Sequence, residues 1–275
     1  MDQATVQSLW VGTRLSTMER LSIRSYLDQG HAFHLFTYRS VDGVPAGAVV
    51  RSGEEVLPAT DIFRYRRGRG RGSVSAFSNP FRYRLLLDRG GWWSDLDSVC
   101  LKPLDFAEDH VFGYERSPNG GTLVGTGLLK APAGSQLMEY CWRASREVDR
   151  SRLEWGEIGP RLITRAVAAV GVPVRIVAPD VFYPIDFWRI WKLVLDRRIP
   201  DGCHAIHLWN SGWRLHWLDP DAVYHPDCIY EQLKRRYGVS SPPGAARGPS
   251  WRSGVLRRLR QLKASVLSRR GRGEQ

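Results

Sequence analysis

Residues 6–11, Val6-Gln-Ser-Leu-Trp-Val11, form a largely apolar run that stops at Gly12 and predicts a first strand. Ser16-Thr-Met-Glu19 then has the spacing of a capping box, Ser16 as N-cap and Glu19 reaching back to it. It opens a helix whose apolar positions are Leu21, Ile23, Tyr26 and Leu27, and Gly30 ends it. Residues 31–38 predict a second strand. Strand, helix and strand joined by short connections make a βαβ unit, hence a parallel sheet. From residue 39 to 75 the pattern is broken by Gly43, Pro45, Gly47, Gly53 and Pro58 and predicts a surface loop. A helix is predicted over 80–89, with Ser78 and Asn79 able to cap it, Pro80 at its first position, and Gly90-Gly91 stopping it. Trp92-Trp93-Ser94 enters the next strand. Further strands are expected at 110–114, 122–129, 174–178 and 205–209, and helices at 135–146 and from Pro160. The alternation predicts an α/β fold with a mostly parallel central sheet flanked by helices, over residues 1–238.

Composition and charge refine this picture. The chain has 275 residues, 43% of them hydrophobic, with 11 Trp, enough for one substantial core. No apolar run approaches a membrane span, and Met1-Asp2-Gln3 begins no secretory signal, so a cytoplasmic protein is expected. Cys100, Cys141, Cys203 and Cys228 show no Cys-x-x-Cys pairing and are expected to be reduced thiols. The formal charge of +12 is local. Arg64, Arg66, Arg67, Arg69 and Arg71 crowd one loop, which could close over a diphosphate, bind an anionic acceptor, or simply be solvated. Residues 239–275 combine a Ser/Pro/Gly-rich linker with a basic tail. In it Val255, Leu259, Leu262 and Val266 recur at helical spacing among Arg257, Arg258, Arg260 and Lys263. Such a helix suits an anionic membrane surface, placing the protein peripherally at the inner membrane face, or an acidic partner; a frayed solvated tail is the alternative. Without these two stretches the body is close to neutral, which argues against a chain-wide nucleic-acid surface.

The chemistry concentrates in Arg89-Gly-Gly-Trp-Trp-Ser-Asp-Leu-Asp-Ser-Val-Cys-Leu-Lys-Pro-Leu104. Asp95 and Asp97 follow an apolar strand, and on extended backbone alternate side chains share a face, so both could reach one ligand. A carboxylate pair suits a hard divalent cation whose other positions take phosphate oxygens. Asp-x-Asp alone is frequent in solvated turns, and its context is what distinguishes it. Downstream, His204-Ala-Ile-His-Leu-Trp-Asn-Ser-Gly-Trp213 invites a zinc reading. His204 and His207 stand at i and i+3 on an expected strand and face opposite ways, so one His completing a carboxylate site is simpler.

Gly-Gly-x-x-x-Asp-x-Asp followed by Lys102-Pro103-Leu104 resembles the signature of small bacterial glycosyltransferases with a sugar-binding Asp-x-Asp region. These are relatives of glycosyltransferase family 32, within the nucleotide-diphospho-sugar transferase (GT-A) group. The opening Leu9-Trp-Val-Gly12, the Ser-capped helix and His31-Ala-Phe-His-Leu-Phe-Thr-Tyr38 are similar to that family too, as are Trp155-Gly-Glu-Ile-Gly-Pro160 and Phe182-Tyr-Pro-Ile185. The resemblance implies a GT-A-like domain and transfer of a hexose-type sugar, with retention, from a nucleotide-sugar (a UDP-sugar is expected) to a saccharide or lipid-linked acceptor. It implies Mn²⁺ or Mg²⁺, with Asp97 a direct ligand, Asp95 shared between metal and donor ribose, and His207 completing the site. Asn210 and Trp213 would lie close to the diphosphate and Trp10 near the donor base, although Trp10 would equally serve as core. The family's Ser-Asp-x-x-Arg appears as Ser78-Asn79-Pro-Phe-Arg82: Arg82 matches, and the amide of Asn79 replaces an acid. Gly125-Thr-Gly-Leu-Leu-Lys130 corresponds to the segment under the sugar, without the Asn the family usually places there. No side chain is assigned as nucleophile or base.

Two rivals stand beside this. Asp95-Leu-Asp-Ser-Val99 fits the nucleophile motif of haloacid-dehalogenase-type phosphatases, but strands precede it here and no later Gly-Asp-x-x-x-Asp appears. A non-catalytic Arg-rich nucleic-acid binder is the other, since Lys and Arg drive phosphate binding.

Overall fold

The structure, a computed structural model, describes residues 5–248. β1 is Val6–Trp10 and α1 is Thr17–Asp28. The capping box is formed: Ser16 Oγ accepts from the Met18 N–H at 3.2 Å, and Glu19 accepts from the Ser16 N–H at 2.7 Å. Gly30 turns the chain at a φ of 83°. β2, Phe33–Thr37, then pairs parallel with β1, Val6 opposite Phe33 and Trp10 opposite Thr37. Within the expected loop, Val49–Ser52 forms β3 and extends the sheet parallel to β2. It is an edge strand with Val49 48% and Val50 52% exposed, so no buried face marks it in the sequence.

α2 runs over Ser75–Arg89, and Pro80 lies inside it rather than at its first position. The expected caps do other work: Ser78 Oγ and Asn79 Nδ2 both donate to the Ser75 carbonyl, at 2.9 and 3.0 Å. Burial of Phe77 and Phe81 holds these first turns against the donor that Pro80 lacks. Gly90 ends the helix at a φ of 64°, and a Cβ there would stand 2.5 Å from the Ala133 nitrogen.

The remaining elements are β4 (Gly91–Ser94), β5 (Ser98–Cys100), β6 (Val111–Arg116), β7 (Thr122–Ala131), α3 (Gln136–Arg146), α4 (Pro160–Val170), β8 (Arg175–Val177), α5 (Pro179–Phe182), α6 (Lys192–Leu195), β9 (Ala205–His207), α7 (Asn210–Leu215) and α8 (Ile229–Arg236). Seven strands form one sheet in the order β3-β2-β1-β4-β7-β6-β8. Its pairs are parallel except β4–β7 and β6–β7. The architecture is thus the expected mixed α/β fold with a mostly parallel central sheet flanked by helices. On one side of the sheet Phe77, Phe81, Leu137 and Ile163 pack beneath α2, α3 and α4. On the other lie Tyr26, Phe33, Trp92 and Phe182. Each such fully buried side chain contributes roughly 1.5–3 kcal/mol of transfer free energy.

β5 and β9 form a separate two-stranded antiparallel sheet, Ser98 opposite His207. A third apolar cluster, including Val99, Ile206, Trp213 and Tyr230, surrounds it. The four cysteines are free and buried. Among the described residues no helix is long and apolar enough to cross a membrane. The described part of the expected linker lies against the body: the Ser240 carbonyl accepts from Arg20 at 2.8 Å, and Val223 bridges to Arg247. The tail helix expected over Val255 to Val266 lies outside the described residues.

Candidate metal centre

β4 delivers the chain to the site and a turn arranges it. The Ser98 N–H returns to the Asp95 carbonyl at 3.1 Å, so Asp95-Leu96-Asp97 is a turn. The extended alternation expected of the two carboxylates is therefore corrected: β4 and β5 belong to different sheets, and the bend between them points both carboxylates to one place. β9 brings the third group. His207 Nε2 lies 3.2 Å from Asp97 Oδ1. One ligand atom from each of Asp95, Asp97 and His207 lies within 4.8 Å of the others.

The second carboxylate oxygens are already engaged. Asp95 Oδ1 accepts from Trp93 Nε1 at 2.8 Å and pairs with the Arg82 guanidinium at 3.1 Å. Asp97 Oδ2 accepts from the Asn210 N–H at 2.7 Å. Arg82 is itself buried and fixed: its Nε donates to the Ser78 carbonyl at 3.2 Å, one terminal nitrogen to the Thr126 carbonyl, and its plane lies 4.8 Å over Trp93. The Asn210 side chain donates to Glu19 at 3.1 Å, so the α1 capping box also braces the start of α7.

Three features fit a divalent cation. The donor set, two carboxylates and an imidazole, is one that Mn²⁺ and Mg²⁺ accept, although oxygen suits both better. His207 Nε2 stands 3.2 Å from Asp97 Oδ1 without a well-aligned hydrogen bond, and its buried Nδ1 has no partner, so the ring is held at the site chiefly by charge and packing, an arrangement a cation can enter. Gly127 of β7 backs the cradle. A Cβ there would stand 2.8 Å from His207 Nε2 and 3.5 Å from Asp95 Oδ2, so any larger residue would occupy the space between them.

Electrostatics follow the same geometry. Burial pushes the Asp95 carboxyl up; Arg82 pulls against it, and Asp97 adds to the rise. Burial is also the largest influence on Asp97, but His207 and the Asn210 N–H outweigh it and hold that carboxyl below its usual range. For His207, burial opposes the charged ring, yet Asp97, Asp95 and Glu115 together hold its pKa above the ordinary imidazole value. In the bare site a proton on His207 thus meets the carboxylate charge, and a cation would take over that part.

The structure gathers Arg82, Asp95, Asp97, His207 and Asn210 into one constellation. Other residues singled out in the sequence have contacts of their own. Trp213 is fully buried, its N–H given to the Leu208 carbonyl at 2.7 Å and its ring 4.8 Å from Tyr230. It is core beneath α7 and has no surface to offer a diphosphate, which corrects its placement as a donor contact. Asn79 turns to Ser75 and packs against Gly159, whose Cβ would stand 3.1 Å from Asn79 Oδ1. Trp10 ends β1 half-buried over Gly12, its Nε1 buried without a partner. His204 faces away, as expected: its Nδ1 is 3.3 Å from the Pro103 carbonyl and its ring packs on Phe106.

Three neighbours were not foreseen. Glu115 of β6 lies within electrostatic reach of His207 and Asp95; burial pushes its carboxyl up to about 7, His207 opposing and Asp95 adding. No sequence pattern marks it. Trp209 sits in the left-handed region, φ 58° and ψ 56°, which ends β9 after His207 and shortens the expected strand. Its ring stands edge-on to His207 at 4.0 Å, and its N–H is held by the Ile185 carbonyl at 2.6 Å. Such a backbone costs a bulky residue roughly 1–3 kcal/mol and persists only where the surroundings enforce it. Gly127 was visible only as part of the Gly-Thr-Gly run.

No protein-family model matches the chain, and no curated protein matches it. Among solved structures, the chain is similar to the PaToxG glycosyltransferase, with a TM-score of 0.44 and 14% identity over 60% of this chain and 68% of that one.

Proposed function

We propose that this chain is a metal-dependent glycosyltransferase that moves a hexose-type sugar from a nucleotide-sugar, a UDP-sugar in the first instance, to a saccharide or lipid-linked acceptor with retention of configuration. In this reading residues 1–238 are the catalytic domain and 239–275 an attached basic segment. The observation that carries it is the meeting of Asp95, Asp97 and His207 around one position. It joins the sequence context that resembles the Asp-x-Asp glycosyltransferases.

A bound Mn²⁺ or Mg²⁺ would neutralise charge on the departing diphosphate. The chain's own residues prepare the place. Arg82 and Trp93 hold one oxygen of Asp95 and leave the other facing the cradle. The Asn210 N–H does the same for Asp97, and Gly127 keeps the centre open. In the metal-free protein burial raises the neighbouring Glu115 carboxyl to about 7, so near neutral pH it is only partly charged.

The test is a screen of nucleotide-sugars with Mn²⁺, read by thermal shift and by donor hydrolysis. One donor should stabilise the protein only when metal is present, and Asp97→Asn should abolish both responses while folding normally. Full hydrolysis by Asp97→Asn, or in excess chelator, would sink the proposal. The basic tail is proposed to bind anionic membrane, each basic residue there adding about 1 kcal/mol. Equal vesicle binding with and without residues 249–275 would reject that part.

A further inference from the structure

The Arg-rich loop at 64–72 has no part in the metal centre, yet it is built rather than loose. The Tyr65 N–H meets the Ser73 carbonyl at 3.2 Å and the Gly72 N–H meets the Tyr65 carbonyl at 2.8 Å, closing the loop at its base. Gly70 lies against Trp155 and Tyr65, where a Cβ would stand 2.2 Å from the indole, and the two rings pack at 5.1 Å. Arg64 crosses the loop to donate to the Gly72 carbonyl at 2.8 Å.

This closure leaves a cleft of about 580 Å³ whose lining includes Phe63, Tyr65, Arg64, Arg66, Arg71 and Arg150. Arg150 lies over the Phe63 ring at 4.4 Å. Among the described residues no carboxylate lines the cleft. Asp149 is within electrostatic reach of this loop. Its carboxyl is held down first by hydrogen bonds from Ser151 and then by Arg67 and Arg66, and its ion pair is with Arg152 at 3.6 Å. Among the described residues Arg64, Arg66, Arg71 and Arg150 have no ion pair with a carboxylate, whereas Arg84, Arg143 and Arg175 do. Four exposed arginines share this lining, and their summed positive charge favours an anion of more than one charge among them. Their planar forks match phosphate oxygens.

We propose that this cleft is a second ligand site, separate from the metal centre, that binds a phosphate-bearing group: a phosphomonoester or diphosphate, free in solution or on a lipid head. It does not depend on the transferase reading.

The experiment titrates pyrophosphate into the full chain in EDTA, followed by calorimetry, so that the metal centre takes no part. Saturable sub-millimolar binding is expected. Arg66→Gln/Arg150→Gln should weaken it ten-fold or more with an unchanged melting temperature. Asp97→Asn and the control pair Arg143→Gln/Arg175→Gln should bind like wild type. No saturable binding by wild type up to about 5 mM, or equal weakening by both arginine pairs, would overturn the proposal. So would an oligonucleotide that binds tightly and is not displaced by pyrophosphate. Flotation with phosphatidylcholine vesicles, with and without phosphatidic acid, assigns the source. Vesicle binding lost in Arg66→Gln/Arg150→Gln supports a lipid head, and vesicle binding unchanged while pyrophosphate binding falls supports a soluble ligand.

Discussion

His207 Nε2 approaches Asp97 Oδ1 to 3.2 Å because Ser98 and His207 are direct partners in the small β5–β9 sheet. The contact between two distant parts of the chain is therefore a matter of strand pairing. Its first consequence concerns the metal. His207→Ala should raise the Mn²⁺ concentration needed for half-maximal thermal stabilisation by roughly ten-fold or more, the effect of losing one contact of about 1.4 kcal/mol. His204→Ala should leave it unchanged, since that ring packs on Phe106. Identical responses in the two variants would show that His207 is not a ligand.

Gly127→Ala should disturb the same site from behind. The added methyl meets the imidazole at 2.8 Å, so the ring has to move away from Asp97. Metal-dependent stabilisation should disappear, while the metal-free melting temperature falls by only a few degrees. A variant that retains wild-type Mn²⁺ affinity would show the cradle to be wider than the geometry implies.

Glu115 sets a pH dependence. Its folded pKa, raised to about 7 from 4.5, means that the native protein holds this proton more tightly than the unfolded chain. Stability is therefore fully retained below about 4.5 and declines as pH rises through about 7. Glu115→Gln, which cannot ionise, should remove that decline. The gain at pH 8 should be on the order of 1 kcal/mol, or about 2–4 °C in melting temperature, with little change near pH 4. Urea unfolding of the metal-free protein at both pH values measures it, and a larger gain at pH 4 would contradict the assignment.

Arg82 is expected to be irreplaceable by lysine. Its guanidinium serves the Ser78 carbonyl, the Thr126 carbonyl and Asp95 at once, and an ammonium at the end of a flexible stem does not reproduce that fork. Removing the partner of a buried carboxylate typically costs about 3–5 kcal/mol, less here because Asp95 is partly open to solvent. Arg82→Gln and Arg82→Lys should both lower stability by about 2 kcal/mol or more in urea unfolding. Full rescue by lysine would reduce the role of Arg82 to simple charge.

Local rules made much of this legible in the sequence. Ser16 and Glu19 satisfy a helix end by themselves, so α1 appears where its capping box says. Asp95, Asp97 and His207 were expected together, and they meet, but through a turn and a side sheet that strand periodicity does not express. Pro80 misled the start of α2 because buried Phe77 and Phe81 hold turns that propensity alone would forgo. Trp213 was expected at the ligand and lies in the core, since a tryptophan beside a polar loop is written alike in both cases. Glu115 left no trace in the sequence because only the packing of β6 against its neighbours buries it.

The pairing of Ser98 with His207 has one more consequence, for how this chain tolerates change. The distance between the carboxylates and the imidazole depends on alignment across two short strands and hardly at all on how much chain lies between them. Insertions in the exposed connections between residues 117 and 200 should leave the centre assembled. Deleting Ala205 or Ile206 would shift the register opposite Ser98 and turn the imidazole to the other face, and deleting His207 would remove it. Variation in length is thus cheap in one part of the molecule and disabling in another only three residues long.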